Sequence, residues 1–349
     1  MGWFGDKRSY ELWLSDLLLV GQRLNLASLE GKSVFITGAS GLIGSCIADL
    51  LLCSSRDSGT NVKVMLGARK LDSLRARFSY WDGVYEPVEY DAMLPVLPKD
   101  PLDLVIHCAS NAHPRAYADQ PVETAMTNVL GTSNLLSKLA REGAGRLVYV
   151  SSSEVYGRRV SPEPYCENDC FPVDSLDPRS CYPTSKRMAE NLCASYGSEY
   201  GVDSVIVRPG HIYGPTQTIS DDRAHAQFAR EAAAGRPVVM KSAGTQFRSY
   251  CYVADCASAI LFVAMHGASG EAYNIANVES DCTIAELASA FAAAGRVPIQ
   301  HREASSKEKS GYARMDNSAL NSSKLMELGW RGHFSLETGT RRTVDLLRN

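Results

Sequence analysis

Short apolar runs rich in β-branched residues alternate with longer stretches of helical periodicity through the first 209 residues. The runs have the length of buried strands, and the stretches between them have the length of helices. We predict strands at 33–37, 61–66, 88–90, 104–107, 147–150 and 204–207, and the main helices over 42–52, 121–140 and 185–200. Because strands that alternate with helices form parallel sheets, the pattern predicts an α/β fold with a doubly wound parallel sheet over residues 31–209.

The pattern changes after Arg208 and Pro209 into shorter and more varied pieces. We predict a smaller C-terminal α/β lobe over residues 210–349 that binds substrate, with some segments returning to the first domain. Its expected elements are helices over 224–234, 254–266 and 283–294, strands near 238, 250 and 271–276, and a polar loop over 305–318.

Residues 1–30 carry leucines among charged residues. No apolar run there reaches membrane-spanning length, Asp16 interrupts the longest one, and no small-residue cleavage site follows it. We therefore predict an N-terminal helical extension, an amphipathic helix packed on the main domain or on a neighbouring subunit, and no membrane contact.

Composition and charge narrow the class of protein. The 349 residues are 45% hydrophobic and 21% charged, as in an ordinary soluble globular protein. A formal net charge of -3 and the lack of a basic run argue against nucleic acid as a partner. The ten cysteines show neither a C-x-x-C pair nor a Cys/His grouping at zinc spacing. We expect no metal, and reduced thiols in the cytoplasm.

A glycine-rich turn follows the first predicted strand. Gly38, Gly41 and Gly44 are each separated by two residues, and an apolar helix follows. Such glycines let the backbone approach a pyrophosphate at a helix N-terminus. The turn predicts a dinucleotide-binding (Rossmann) domain, with further cofactor contacts from its other residues: Ser40, Leu42 and Ile43.

The second predicted strand ends without the acid that usually binds the ribose of NAD. Arg69 and Lys70 stand there instead, and cations at this point suit a 2′-phosphate, so NADP competes with NAD. A solvated charge pair at a helix start explains them equally well. Asp91, after the third strand, is expected near the adenine.

The stretch Ser151–Gly157 follows a buried strand, at the sheet edge where ligands bind. Tyr182 and Lys186 lie four residues apart on a predicted helix, so they share one face. A neighbouring ammonium favours the phenolate, which makes Tyr182 a base for a substrate hydroxyl. Ser152 can hold the same oxygen while a nicotinamide takes the hydride from its carbon.

These motifs resemble the extended short-chain dehydrogenases/reductases of the NAD-dependent epimerase/dehydratase family. The segments that carry the resemblance occur in family order: TGASGLIGS at 37–45, VIHCAS at 105–110, PVETAMTNVLGT at 121–132, SSSEVYG at 151–157, YPTSK at 182–186, RPGHIYGP at 208–215 and RSYCYVAD at 248–255. The resemblance covers nearly the whole chain. It implies an enzyme that oxidises a nucleotide-diphosphate sugar, usually at C4, and then rearranges the keto sugar.

The resemblance also implies roles for single residues. It makes Tyr182 the general base, Lys186 its activator and ribose anchor, and Ser152 the partner hydroxyl. Arg248 matches an arginine that contacts the nucleotide diphosphate, and Asn128 an asparagine tied to the lysine by water. Two further cofactor contacts are expected after the fourth strand: Ala109 and Ser110.

Glu154 bears on the second step of the reaction. Simple epimerases often have a small or neutral residue there, whereas dehydratases and decarboxylases carry Glu. If burial raises its pKa, this carboxylate can move a proton after C4 oxidation. The segments at 109–117 and 177–190 most resemble UDP-glucuronate decarboxylases within the family.

Three predicted substrate-pocket residues depart from the family pattern. Ser153 stands where dTDP-glucose dehydratases have an acid, which argues against their proton donor. His211 and Gln227 each replace a common asparagine. These departures leave the nucleotide and the sugar open.

Three alternatives stay open: an NADPH-dependent reductase of a keto sugar, a simple C4 epimerase, and a cofactor-binding scaffold without activity. Family members commonly form dimers through two helices of each subunit. Here those are the helices around Asn128 and Met188, and we expect a homodimer.

Overall fold

Seven parallel strands form the central sheet of the computed structural model, which describes residues 6–159, 161–303 and 316–348. The spatial order is β10-β6-β5-β4-β1-β2-β3. The strands are β1 Ser33–Thr37, β2 Lys63–Ala68, β3 Glu86–Glu89, β4 Leu104–His107, β5 Arg146–Val150, β6 Asp203–Pro209 and β10 Ala272–Ile275. The predicted doubly wound parallel sheet is confirmed.

Helices cover both faces of this sheet. They are α2 Leu42–Ser58, α3 Leu71–Arg77, α4 Pro114–Asp119, α5 Pro121–Glu142, α6 Cys181–Tyr200 and α8 Val253–His266. Successive residues of β1 belong to different cores, because strand side chains alternate between faces. Val34 and Ile36 pack in the core that contains α2 and α8, while Phe35 packs in the core between α5 and α6. Burial on both faces explains why the strands read as continuous apolar runs.

The second strand lies two residues later than the sequence predicted. Asn61 is outside the sheet, because its carbonyl accepts from the Gly31 amide at 2.8 Å and its amide donates to the Glu30 carboxylate at 3.0 Å. The strand continues through Ala68 because Gly67 lies against the ring of Phe35, where a Cβ would be 2.9 Å from the ring.

The remaining elements follow or flank the sixth strand. They are β7 His211–Tyr213, α7 Ala224–Ala233, β8 Val238–Met240, β9 Phe247–Tyr252, β11 Asp281–Thr283, α9 Ile284–Gly295, β12 Ile299–His301, β13 Asn317–Ser318 and two final helices, Ser323–Leu328 and Leu336–Leu347. The predicted loop at 305–318 lies mostly outside the described residues. The prediction was wrong at the end of this segment, because Asn317–Ser318 is a short strand that pairs with β9 in parallel. The division of the chain into domains near residue 209 stays a prediction.

An N-terminal helix, α1 Lys7–Gly21, packs on the main body. It begins at Asp6, whose carboxylate accepts from the Ser9 amide at 2.8 Å. Trp13 is fully buried and donates to Asp49 of α2 at 2.9 Å. Buried Asp16 accepts from the Tyr252 hydroxyl at 2.8 Å. The predicted helix and its packing on the main domain are confirmed for the described part, residues 6–30. Within the described residues, no helix is long and apolar enough to cross a membrane.

Candidate active site

The glycine turn lies between β1 and α2, at the carboxyl edge of the sheet. Gly38 has a φ of +64°, and a Cβ there would be 2.8 Å from the backbone nitrogen of Ala109. A Cβ on Gly44 would collide with the carbonyl oxygen of Gly38. Gly41 caps α2 without any side-chain hydrogen bond to the helix. The first amides of α2 therefore face outward, as pyrophosphate binding requires.

The other predicted residues of the turn have separate surroundings. Ser40 is exposed and Ile43 is half-buried. Leu42 begins α2, and its carbonyl accepts from the Thr216 hydroxyl at 2.7 Å. This bond ties the cofactor side of the site to the loop that follows β7.

Two residues that the sequence analysis missed join β1 to β4, where the strand order reverses. Thr37 Oγ1 and His107 Nδ1 are hydrogen bonded at 2.7 Å, and the Ala109 amide donates to the same hydroxyl at 3.3 Å. Burial lowers the pKa of His107 to about 3, so its ring is neutral. This small network fixes the crevice in which doubly wound sheets bind dinucleotides.

Ser152 and Tyr182 meet beyond the end of β5. Ser152 caps the 3₁₀ turn Ser153–Tyr156, and its hydroxyl accepts from the Glu154 amide at 3.2 Å. It is also close enough to the Tyr182 phenol to lower the pKa of that group. Burial and then the charge of Glu154 raise the pKa of Tyr182 to about 12, against the lowering effect of Ser152. The predicted pair is brought together, with the phenol protonated in the free protein at neutral pH.

Lys186 lies one turn after Tyr182 on α6, and its side chain is buried. Its ammonium donates to the Val150 carbonyl at 2.7 Å and lies 4.8 Å from the centroid of the Tyr149 ring. The centroid of the Tyr182 ring is 5.7 Å away. Burial lowers the pKa of Lys186 to about 8. The ammonium is therefore a buried cation close to the Tyr182 ring.

Asn128 connects the two long helices beside this pair. Its amide donates to the Ser185 hydroxyl at 2.9 Å, and that hydroxyl donates to the Tyr182 carbonyl at 3.1 Å. This direct bond goes to the residue before Lys186, and the predicted link to the lysine through water stays a prediction. Asn128 thus helps to fix the first turn of α6, on which Tyr182 stands.

Burial could raise the pKa of Glu154 only if the side chain lay in an apolar pocket. It does not lie in one. Both of its carboxylate oxygens accept from Arg179, at 3.0 and 3.2 Å. The guanidinium also lies 4.5 Å from the centroid of the Tyr117 ring. The sequence analysis missed Arg179 and Tyr117, because nothing in their spacing indicates that they meet Glu154.

Tyr117 is the nearest ring to the predicted base. Its centroid is 4.6 Å from that of Tyr182, with 22° between the planes, and Tyr117 lowers the pKa of the Tyr182 phenol. Tyr117 comes from α4, in the segment that follows β4. Segments after two neighbouring strands therefore converge on one phenol.

The predicted substrate residues lie on the C-terminal side of the cleft. Ser153 is buried in the turn after β5. His211 lies beside Tyr250, with ring centroids 5.5 Å apart, and burial lowers the pKa of His211 well below its usual value. The Gln227 amide donates to the Asp222 carbonyl at 2.7 Å, and its oxygen accepts from Lys241 at 3.1 Å.

Arg248 is buried on β9 and is held by backbone carbonyls. It donates to the carbonyls of Phe247 at 2.9 Å and Asp316 at 3.3 Å. Burial lowers the pKa of its guanidinium from the ordinary value, although it stays far above neutral pH. This arginine is a positive charge within the cleft, as an anionic ligand requires.

The predicted adenosine-side residues are used in part by the protein itself. Arg69 pairs with Glu123 at 3.4 Å. The Asp91 carboxylate accepts from the Met93 amide at 2.9 Å. Ser110 follows Ala109 at the end of β4, and none of the described residues hydrogen bonds to its buried hydroxyl.

A family model and several known proteins match most of this chain. The model of the NAD dependent epimerase/dehydratase family matches residues 34–276. UDP-glucuronic acid decarboxylase 3 of Arabidopsis thaliana is 33% identical over 73% of this chain and 72% of its own length. UDP-glucuronic acid decarboxylase 1 of Danio rerio is 29% identical over 92% of this chain and 73% of its own length.

Solved structures share the fold. The dTDP-glucose 4,6-dehydratase of Streptomyces venezuelae, with NAD and TYD bound, has a TM-score of 0.77 at 24% identity, and the match covers 90% of this chain and 97% of that one. The extent of the family match, the identity to the decarboxylases and the site geometry agree. The chain belongs to the NAD-dependent epimerase/dehydratase family.

Proposed function

We propose that this protein is an NAD-dependent enzyme that oxidises a nucleotide-linked sugar at C4 and then decarboxylates or dehydrates the keto sugar. The observation that carries the proposal is the placement of Tyr182 and Lys186 on α6, with the ammonium 5.7 Å from the centroid of the phenol ring, against the turn that Ser152 caps. When bound, NAD supplies the hydride acceptor and later returns the hydride to the sugar. The proposal extends to this chain what the names of its relatives say of them.

The residues at β1 and β4 fit a dinucleotide. The space at Gly41 and the uncapped first turn of α2 suit its pyrophosphate, and Ala109 and Ser110 line the crevice beside it. NAD is preferred over NADP, because Glu123 pairs with Arg69 and would repel a 2′-phosphate. NADP stays the second candidate, with Lys70 as a possible additional cation for that phosphate.

The first step uses Ser152, Tyr182 and Lys186. Tyr182 removes the proton from the C4 hydroxyl, and Ser152 holds the same oxygen. The Lys186 ammonium stabilises the phenolate from behind the ring and binds ribose hydroxyls. Arg248 and the neutral ring of His211 line the side on which the nucleotide diphosphate is expected, with Gln227 and Ser153 completing the substrate pocket.

The second step depends on the substituent at C5. If the sugar is a uronic acid, the C4 ketone stands β to the carboxylate. The bond from C5 to the carboxyl carbon then breaks, CO2 leaves, and the electron pair passes to the ketone oxygen as an enolate. C5 takes a proton, which Glu154 relays in this proposal. The relatives named as UDP-glucuronic acid decarboxylases favour this reaction over dehydration.

A panel of sugars tests the function. The purified protein is incubated with UDP-, dTDP-, GDP- and CDP-linked sugars and uronic acids, and the products are weighed by mass spectrometry. Loss of CO2, loss of water or an unchanged mass with altered stereochemistry separates decarboxylase, dehydratase and epimerase. Net consumption of added NADPH would identify the reductase, and unchanged sugars throughout would leave only the scaffold.

We also propose a cytoplasmic homodimer. All ten cysteines are free, which supports a reducing compartment. Helices α5 and α6 pack together and leave apolar side chains exposed: Val122, Met126, Met188 and Tyr200. An apolar helical face of this kind supports the helix-pair dimer that the family resemblance implies.

A further inference from the structure

We propose that Arg179 is a positioning residue for Tyr182, which holds Glu154 as a paired carboxylate beside the phenol and fixes the Tyr117 ring stacked on it. The inference rests on the proposed function, since Tyr182 must act as a base for the positioning to matter. Arg179 stands on the 3₁₀ turn Pro178–Ser180, three residues before Tyr182. Neither its spacing nor the family motifs assign it a role.

The contact with Glu154 fixes the carboxylate in one plane. The two terminal nitrogens of Arg179 donate to the two carboxylate oxygens, at 3.0 and 3.2 Å. Such fork-to-fork pairs define orientation as well as distance. The side chains are only 21% and 29% exposed, so water screens the pair less than it screens a surface ion pair.

A second contact links the same guanidinium to the ring of Tyr182 through Tyr117. Arg179 lies 4.5 Å from the centroid of Tyr117, and Tyr117 lies 4.6 Å from the centroid of Tyr182 at 22°. The three groups form a continuous stack of cation, ring and ring. A shift of Arg179 therefore displaces both the carboxylate and the ring that flank the phenol.

The charges around Tyr182 give the stack a chemical consequence. After burial, the carboxylate of Glu154 is the largest cause that raises the pKa of Tyr182. Arg179 compensates that carboxylate, so without it Glu154 would oppose the phenolate unscreened. The charged and polar groups that face or flank the phenol are Glu154, Ser152, Arg223, Tyr117, Lys186 and, through Glu154, Arg179.

The pair is not needed to hold the backbone on either side. The Arg179 amide donates to the Asp177 carboxylate at 3.0 Å, which closes its turn independently. The loop of Glu154 is held by Arg187, which donates to the Val155 carbonyl at 2.6 Å. Arg179 can therefore be changed while both turns keep their own hydrogen bonds.

A double-variant cycle tests the inference. The rate of reduction of bound NAD in a single turnover is measured against pH for Arg179→Gln, Glu154→Gln and the double variant. We expect Arg179→Gln alone to move the acidic limb of the pH–rate profile upward by about one pH unit, because the uncompensated Glu154 carboxylate raises the pKa of Tyr182. The limb should not move when Arg179→Gln is introduced into Glu154→Gln, and Arg179→Lys should restore most of the wild-type profile.

Arg115→Gln is the matched control, because Arg115 is on the helix of Tyr117 but pairs with exposed Asp119 at 3.2 Å. Its profile should equal that of the wild type. Equal shifts in both Glu154 backgrounds, or no shift in either, would overturn the inference while leaving the function intact. A wild-type protein that reduces no bound NAD with any sugar of the panel would overturn the function and this inference together.

Discussion

The phenol of Tyr182 must lose a proton at neutral pH, although burial and Glu154 raise its pKa to about 12 in the free protein. The Lys186 ammonium, whose pKa burial lowers to about 8, lies 5.7 Å from the centroid of the phenol ring. Compensation of Glu154 by Arg179 reduces one part of the cost. The oxidised nicotinamide, a cation, would reduce another part when it is bound.

Removing the phenolic hydroxyl tests the assignment of the base. Tyr182→Phe should slow reduction of bound NAD by roughly 10²–10⁴-fold, because the phenol is the group assigned to take the proton from the C4 hydroxyl. Binding of NAD, measured by calorimetry, should stay within a few-fold of the wild type. The control is Tyr200→Phe at the exposed end of α6, which should leave the rate unchanged. Equal rates for Tyr182→Phe and wild type would refute the assignment.

Sequence reasoning at this scale identified the residues with motif spacing and missed those defined by contact. Ser152 and Tyr182 were predicted as partners from their motifs, and the turn that Ser152 caps packs against α6. Tyr117 and Arg179 were missed because their role depends on how separate loops converge. The expected burial of Glu154 was wrong for the same reason, since its partner is distant in sequence.

The turn from β1 to α2 tolerates substitution of its glycines poorly. Gly44 packs so closely on the Gly38 carbonyl that a methyl group cannot fit without moving the turn. Its glycine spacing was readable from the sequence for this reason. Strand ends were less readable, because local hydrogen bonds at Asn61 and the contact of Gly67 with Phe35 shift β2 by two residues.

Gly44→Ala should therefore weaken NAD binding at least tenfold, because the turn must open at the pyrophosphate site. Calorimetric titration of the variant with NAD measures the effect. Gly197→Ala on α6 is the control, since a Cβ there makes only an ordinary contact at 3.5 Å from the Val202 carbonyl. An unchanged affinity for Gly44→Ala would show that the turn does not bind the cofactor.

Helix α1 buries an acid that should make its docking depend on pH. Burial raises the pKa of Asp16 to about 6 from 3.8, against the lowering effects of Arg342 and Tyr252. Because the folded pKa is the higher one, ionisation costs folding free energy, and stability is lost as pH rises through the folded value. The helix was predicted from its leucines, but this buried charge was not.

Comparison of Asp16→Asn with the wild type isolates that titration. Between about pH 5 and about pH 8, the free energy of unfolding of the wild type should fall by about 1.4 kcal/mol relative to the variant. Urea unfolding of both proteins at each pH measures the difference. A difference that does not change with pH would mean that Asp16 is not buried as an acid.

At the scale of the whole molecule, the carboxyl edge of the central sheet collects the cofactor turn after β1 and the turn after β5 that packs against the helix of the reactive phenol. The parallel order of seven strands was predictable, because their apolar runs alternate with helices. The small strands after β6 were harder, because three-residue strands such as β11 and β12 have no periodicity to read.

Met188→Glu tests the proposed dimer. Met188 is 45% exposed on α6, and a charge buried at the interface would cost several kcal/mol. Light scattering should show a dimer for the wild type and a monomer for the variant. Leu176→Glu, at a 91% exposed loop position, should stay dimeric. Equal masses for all three proteins would remove this helix face as the interface.

The central claim is a hydride that leaves C4 and returns to it. The most direct measurement uses UDP-glucuronic acid deuterated at C4, with the product weighed by mass spectrometry and the bound nicotinamide followed by absorbance. We predict a transient reduced nicotinamide and a product lighter by CO2 that retains the deuterium. A product without deuterium, or a sugar that reacts with no reduced intermediate, would contradict the account.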